Sequence, residues 1–190
     1  MLIFWEQRLV FLATPKAGST AIEVALEPLA SLAVQRPPEM KHVDAARFRR
    51  HIQPWLGEVV TEDFTTIALM REPVEWLRSW YRFHLRDDDA GPDDGFEDFA
   101  HRYIAAPHSV TKGIGSQSAF LGGAAPMVDR IFRYEDIDAF TNFLDDRLGC
   151  EVVLPRINVP PAADVTLSAA TEAALRHALH DDITLYARLG

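Results

Sequence analysis

The residues whose types suggest chemistry most directly lie in the stretch 14–20, TPKAGST, which follows an apolar run and precedes a helical pattern. Backbone amides at the N-terminus of a helix favour an anion, and Gly18 allows the backbone to approach a ligand closely. Lys16 adds a positive charge, while Ser19 and Thr20 carry hydroxyls that either donate to a ligand or cap the helix. The stretch predicts a phosphate-binding turn. The alternative is a well-capped strand–turn–helix with a solvated lysine.

The order of lysine and glycine distinguishes this stretch from the phosphate-binding loop of nucleotide kinases. The Walker pattern GxxxxGK[ST] is not met, because no glycine precedes Lys16 and no lysine directly follows Gly18. A kinase would also need an acidic Mg²⁺ ligand at a strand end, for which Glu72 is the only candidate. An ATP-dependent small-molecule kinase is therefore a second hypothesis, and a non-catalytic nucleotide-binding module is a third.

A second candidate site follows a later apolar run, in residues 70–81, MREPVEWLRSWY. Arg71 stands at the predicted carboxyl end of a strand, and Ser79 lies two helical turns further on, on roughly the same face. An arginine fork with a hydroxyl is a good ligand for a phosphate dianion. In the alternative interpretation Arg71 pairs with a carboxylate at the helix end, and Ser79 is a small residue that faces the sheet.

Together the two stretches resemble the sulfotransferase family, whose members use 3′-phosphoadenosine 5′-phosphosulfate (PAPS) as the sulfuryl donor. Three further stretches fit the family-2-type branch, which extends to small bacterial enzymes: residues 116–121 (SQSAFL), 128–136 (VDRIFRYED) and 154–159 (LPRINV). The resemblance therefore covers nearly the whole chain, although the first two stretches are the diagnostic ones.

The resemblance implies a role for each matching position. Arg71 and Ser79 would hold the 3′-phosphate of the donor. Lys16 would neutralise the charge that develops on the bridging oxygen as sulfate departs, so that no metal is needed. The 5′-phosphosulfate would be held by Lys16 and by the amides of Ala17, Gly18, Ser19 and Thr20.

Other positions carry weaker implications. Arg156 and Asn158 fall in a loop of the kind that covers the nucleotide in relatives, which implies that Arg156 binds the donor. Trp76 departs from the family pattern, because many relatives have a basic residue there, and this predicts a weaker or different grip on the adenosine. Glu72 is often Asp in relatives. Residues 133–135 follow a predicted strand, where they either reach the cleft or serve as helix caps and ion-pair partners.

The acceptor hydroxyl needs a general base, and His42 is the candidate. It follows the first helical pattern in a proline-marked loop, and relatives often place a catalytic histidine or glutamate in a comparable stretch. A histidine suits proton abstraction near neutral pH. Glu39 is the reserve, and a surface histidine is the alternative interpretation. The seven histidines show no HExxH pair or similar spacing, so the sequence predicts no metal site.

The elements that must position these residues follow from hydrophobic periodicity. Apolar runs at residues 2–5, 9–13 and 64–70 predict an edge strand and two buried strands, residues 128–132 are a further candidate strand, and helical patterns separate most of them. This alternation predicts an α/β fold with a mainly parallel sheet covered by helices on both faces. Ligands bind at the carboxyl ends of such strands. With the resemblance, the expected architecture is one domain, residues 1–190, with a three-layer P-loop-like fold.

Composition excludes several classes. The net charge of −9 argues against a general nucleic-acid binder. The single cysteine, Cys150, excludes an internal disulfide and fits a reducing compartment. No apolar stretch approaches the roughly 20 residues that cross a bilayer, and the start of the chain does not resemble a signal peptide. We therefore expect a cytoplasmic protein whose acceptor is small or soluble and carries a hydroxyl or an amine. The acceptor's identity and the oligomeric state stay open.

Overall fold

The computed structural model of the chain describes residues 1–86, 95–157 and 162–189. The acidic stretch at residues 87–94 and positions 158–161, which include Asn158, lie outside the described residues. In the described part, one mixed sheet has the strand order β3-β1-β2-β4-β5. Its strands are β1 Leu2–Phe4, β2 Leu9–Leu12, β3 Leu32–Ala33, β4 Thr65–Met70 and β5 Arg130–Arg133.

The centre of the sheet is parallel. Strand β4 runs parallel to both β2 and β5, so the carboxyl ends of these three strands share one edge of the sheet. Strand β1 is antiparallel to β2, because the turn at residues 5–8 is too short for a crossover connection. The prediction that residues 2–5 form an edge strand is wrong, since β3 pairs with β1 and covers it. Strand β3 has two residues, both exposed, and therefore lacks the apolar signal of a strand.

Helices connect and cover the strands, and the α/β class is confirmed. A single-turn 3₁₀-helix at Glu27–Leu29 and a π-helical turn at Phe48–Ile52 interrupt the α-helices. The π-helical turn immediately precedes α4, whose first turn contains Pro54, a position where a helix tolerates proline. The α-helices are α1 Ser19–Leu26, α2 Pro38–Lys41, α3 Ala45–Arg47, α4 Gln53–Gly57, α5 Pro73–His84, α6 Gly95–Ala105, α7 Pro107–Val110, α8 Gln117–Leu121, α9 Ile137–Leu148, α10 Ala169–Ala178 and α11 His180–Ala187.

Strands β1, β2 and β4 are buried on both faces. Alternate residues along a strand point to opposite faces, and Phe11 of β2 packs with Ile22 of α1 and Phe140 of α9. On the other face, Leu12 belongs to a cluster with Phe48 and with residues of α8 and α11. Helices therefore cover the sheet from two sides, and the strand ends remain as the place where polar side chains can gather.

A third apolar cluster lies beside the sheet and fixes α5. Its members include Trp76 and Tyr81 of α5, Phe99 and Tyr103 of α6, and Leu175 of α10. Because α5 begins directly after β4, this cluster sets the direction in which α5 leaves the sheet edge. No helix in the described residues is long and apolar enough to cross a membrane.

Candidate anion-binding site

The turn after β2 has an unusual backbone. Lys16 has φ 64°, a value uncommon for residues other than glycine, and Gly18 has φ 76°. Gly18 is the N-cap of α1 and contributes no side chain to the cap, so no side chain accepts from the first amides of this helix. A Cβ at position 18 would approach the Tyr134 ring to 2.8 Å, which explains why the position is glycine. The turn therefore presents helix N-terminal amides beside a lysine.

Trp76 anchors this turn to α5. Its indole Nε1–H donates to the carbonyl of Pro15 at 2.9 Å, and the side chain is fully buried. Many members of the family that the sequence resembles have a basic residue at this position, whereas here the indole contacts the protein's own backbone. A residue held at positive φ persists only where its surroundings fix it, and Trp76 supplies such a contact next to Lys16.

Arg71 reaches the same turn from the end of β4. Its guanidinium lies 4.8 Å from the centre of the Tyr134 ring, and Nη1 is 3.5 Å from the Lys16 carbonyl oxygen. Glu75 is 3.9 Å from the Arg71 guanidinium but 2.6 Å from that of Arg78, so it is a weak partner for Arg71. The two stretches that are separate in the sequence thus meet at one edge of the sheet.

The backbone of Arg71 is held by a buried amide side chain. Gln117 accepts from the Arg71 N–H at 2.9 Å and donates to its carbonyl at 2.8 Å. The amides of Gln117 and Ser118 in turn donate to the carboxylate of Asp182, at 3.1 and 2.8 Å. Burial raises the pKa of Asp182, while the hydrogen bonds from Ser118 and Gln117 oppose that shift. Sequence reasoning assigned no role to Gln117 or Asp182, since their partners are distant in the chain.

The ammonium of Lys16 lies on aromatic rings among other cations. Its Nζ is 3.9 Å from the centre of the Phe83 ring and 5.4 Å from that of Trp80. Burial lowers the pKa of Lys16 to about 8, and the positive charges of Arg86, Arg71 and Lys112 contribute to the same shift. Lys16 and Arg71 are half-buried, Arg86 and Lys112 are exposed nearby, and positive charges gathered in this way favour the binding of an anion.

Three buried donor groups near the turn have no hydrogen-bond partner among the described residues. They are the Thr14 hydroxyl, the Nε of Arg71 and the Nε1 of Trp80. Buried polar groups are nearly always paired in folded proteins, and an orphaned donor at a site suggests a ligand that accepts. Phosphate and sulfate oxygens accept hydrogen bonds and carry the charge that suits these cations, so the donor set fits such a group.

His42 returns to the end of β2. Its Nδ1 lies 2.7 Å from the Ala13 carbonyl oxygen, which must accept, so this contact places the proton on Nδ1 and leaves Nε2 with a free electron pair. Burial lowers the pKa of His42, although the hydrogen bond to Ala13 opposes that change. The reserve candidate Glu39 is exposed on α2. Lys41, between them, pairs with the buried Glu23 at 2.6 Å.

The remaining predicted residues are less closely tied to the turn. Ser79 is half-buried on α5, and Arg156 is exposed after α9; neither side chain makes a hydrogen bond to a described residue. Tyr134 contacts both Gly18 and Arg71, as described above. Glu135 accepts hydrogen bonds from the Glu72 amide at 2.9 Å and from the Tyr186 hydroxyl at 2.8 Å, so it links the start of α5 to α11. The sequence offered the same two roles for Tyr134 and Glu135. In the structure Tyr134 lies against the turn, whereas Glu135 binds Glu72 and Tyr186.

Comparisons with family models, with curated proteins and with solved structures found no significant match to this chain. Within the residues that the structure describes, no group of three or more His, Cys, Asp or Glu side chains is arranged to hold a metal ion.

The anchoring role of Trp76 can be tested against its neighbour. Trp76→Phe should destabilise the protein by about 1–3 kcal/mol beyond the packing loss, because the Pro15 carbonyl is left buried without its donor. Trp80→Phe is the matched control, since the Trp80 Nε1 has no partner among the described residues. Urea unfolding of both variants measures the difference. Equal losses in the two variants would contradict a role for the hydrogen bond.

Proposed function

We propose that this chain is an enzyme that binds a phosphorylated nucleotide at the turn after β2. The observation that carries the proposal is the convergence of Lys16 and Arg71 on a helix N-terminus that no side chain caps. Helix N-terminal amides and basic side chains are the groups that proteins use to bind phosphate. Further support comes from Arg86 and Lys112, which lie close enough to act on the charge of Lys16.

Within that class, we infer a PAPS-dependent sulfotransferase with a three-layer P-loop-like fold. A lysine that precedes the glycine, followed by an arginine after a neighbouring parallel strand, is the pattern on which the family resemblance rests. The donor carries two separate anionic groups. In this proposal the turn with Lys16 holds the 5′-phosphosulfate, and Arg71 with Ser79 holds the 3′-phosphate. The acceptor is a small or soluble molecule with a hydroxyl or an amine.

The reaction is an in-line displacement at sulfur. The acceptor oxygen forms a bond to sulfur while the bond between sulfur and the bridging oxygen of the 5′-phosphate breaks, and adenosine 3′,5′-bisphosphate leaves. Charge accumulates on the bridging oxygen, where the Lys16 ammonium and the amides of residues 17–20 stabilise it. Such transfers gain most of their rate from positioning and electrostatic stabilisation.

His42 is the base in this mechanism. The carbonyl of Ala13 fixes the ring with its proton on Nδ1, so Nε2 is the atom that takes the proton of the acceptor hydroxyl. We infer His42 over Glu39 because His42 is bound to the strand that leads into the turn, while Glu39 is exposed on α2. Burial also favours the neutral imidazole that a base requires.

Ligand-dependent stability tests the proposal. Adenosine 3′,5′-bisphosphate at about 100 times its dissociation constant should add roughly 2.7 kcal/mol to the free energy of unfolding. The variant Arg71→Ala should lose most of this gain, whereas Arg176→Ala, an exposed change on α10, should keep it. Thermal unfolding with bisphosphate and with ATP plus Mg²⁺ gives the comparison. Stabilisation by ATP plus Mg²⁺ alone would favour a kinase and overturn the sulfotransferase proposal.

Bisphosphate affinity should fall as the pH rises through about 8, where Lys16 titrates. The ligand's negative charge favours the protonated amine, so binding raises the pKa of Lys16 and takes up protons at this pH. Calorimetric titrations in buffers of different ionisation enthalpy measure that uptake. Lys16→Met should bind more weakly and lose the pH dependence near 8. If the variant keeps the same dependence, another group is responsible for it.

His42→Gln should slow release of bisphosphate from PAPS by about 10²–10⁴-fold, the usual contribution of a general base. In the unmodified protein the rate should fall as the pH drops through the pKa of His42, which lies below its ordinary value of 6.5. That acidic limb should vanish in the variant. The exposed His177→Gln is the control, and Glu39→Gln tests the reserve. A retained acidic limb in His42→Gln would place the base elsewhere.

A further inference from the structure

Three aromatic side chains lie along one face of α5 near the turn. Trp76, Trp80 and Phe83 follow one another at helical spacing, and neighbouring rings meet edge to face at 6.0 and 5.8 Å between centres. Such arrangements are favourable and restrict the orientation of each ring. Trp76 binds the backbone of the turn, as described above. The Phe83 ring is thus fixed, through Trp80, relative to the same turn.

Phe83 contacts two ammonium groups. The Nζ of Lys16 lies 3.9 Å from the ring centre, and that of Lys112, which follows α7, lies 4.8 Å from it. A cation within about 6 Å of a ring centre is attracted by the negative face of the ring. Two like charges that share one ring also repel each other. The Phe83 ring therefore attracts the Lys16 ammonium at a position where burial and neighbouring cations disfavour the protonated amine.

The groups that act on Lys16 come from several elements. Arg71 precedes α5, Arg86 follows it, and Lys112 follows α7; all three lower the pKa of the amine, together with burial. Glu75, the carboxylate near Arg71, is engaged more closely by Arg78. Among the groups of the described residues that act on Lys16, the faces of Phe83 and Trp80 favour the charged amine, and Phe83 is the nearer ring.

We propose that Phe83 is a positioning residue, whose ring holds the Lys16 ammonium at the turn and keeps it charged for the anion. The inference rests on the proposed function for its benefit to donor binding, but the contact itself can be measured without any ligand. A leucine at this position would retain an apolar wall while removing the π face. A tyrosine would keep the face, which makes Phe83→Tyr the matched control.

Lysine side-chain NMR tests the contact directly. The chain has three lysines, Lys16, Lys41 and Lys112, so ¹³Cε-labelled lysine gives few signals, and Lys→Arg variants assign them. Protons above the face of an aromatic ring resonate upfield. The ε-protons of Lys16 should therefore show an upfield shift in the unmodified protein, keep it in Phe83→Tyr and lose it in Phe83→Leu. Absence of the shift in the unmodified protein overturns the proposal without any variant.

The titration of the same signal gives a second readout. Loss of the ring should move the Lys16 midpoint down from about 8 by about half a pH unit, while Phe83→Tyr leaves it in place. A midpoint that stays or rises in Phe83→Leu contradicts the proposal. Bisphosphate affinity at pH near 8 should fall about threefold in Phe83→Leu and be retained in Phe83→Tyr.

Bisphosphate binding and the NMR readouts distinguish failure of the proposed function from failure of the role proposed for Phe83. If the unmodified protein does not bind adenosine 3′,5′-bisphosphate, the proposed function fails, while the NMR shift and titration still decide the role of Phe83. If the bisphosphate binds and Phe83→Leu matches the unmodified protein in both NMR readouts, only the role of Phe83 is overturned.

Discussion

The hydrogen bond between the Trp76 indole and the Pro15 carbonyl is the contact on which the rest of the site depends. It joins the segments that follow the neighbouring parallel strands β2 and β4. Its acceptor, the Pro15 carbonyl, immediately precedes Lys16, whose φ is positive. A buried carbonyl without this donor would be costly, and the turn would lose its backbone hydrogen bond to α5. Together with the contacts of Arg71 and Phe83 to Lys16, this bond joins the turn, the end of β4 and the aromatic face of α5 into one connected unit.

Charge distribution in this unit is opposite to that of the chain as a whole. The protein carries a net charge of −9, yet Lys16, Arg71, Arg86 and Lys112 gather around one turn. Keeping positive charges close to the half-buried Lys16 amine costs free energy, which folding must offset through the three apolar clusters. This is the pattern expected where selection favours a ligand at the expense of stability. The net charge argues against a nucleic-acid partner, whereas the local charge around the turn favours an anion.

The sequence predicted the α/β class and the two strand-end stretches, because both depend on local signals: apolar runs, a glycine two residues after a lysine, and an arginine at the end of an apolar run. It did not predict the roles of Trp76, Gln117 and Asp182, whose partners lie far away in the chain. Helical spacing placed Arg71 and Ser79 on one face, but such spacing says nothing about what either side chain reaches. Strand β3 was missed because both of its residues are exposed, and its pairing with β1 is decided by the sheet.

The hydrogen bonds of Asp182 affect when the backbone around Arg71 can become fixed during synthesis. Its carboxylate fixes Gln117, and through it the backbone of Arg71, although it lies 65 residues after Gln117. The turn and its helices leave the ribosome well before α11 does. During synthesis the hydrogen bonds that hold Gln117, and through it the backbone of Arg71, therefore cannot form until α11 has been made.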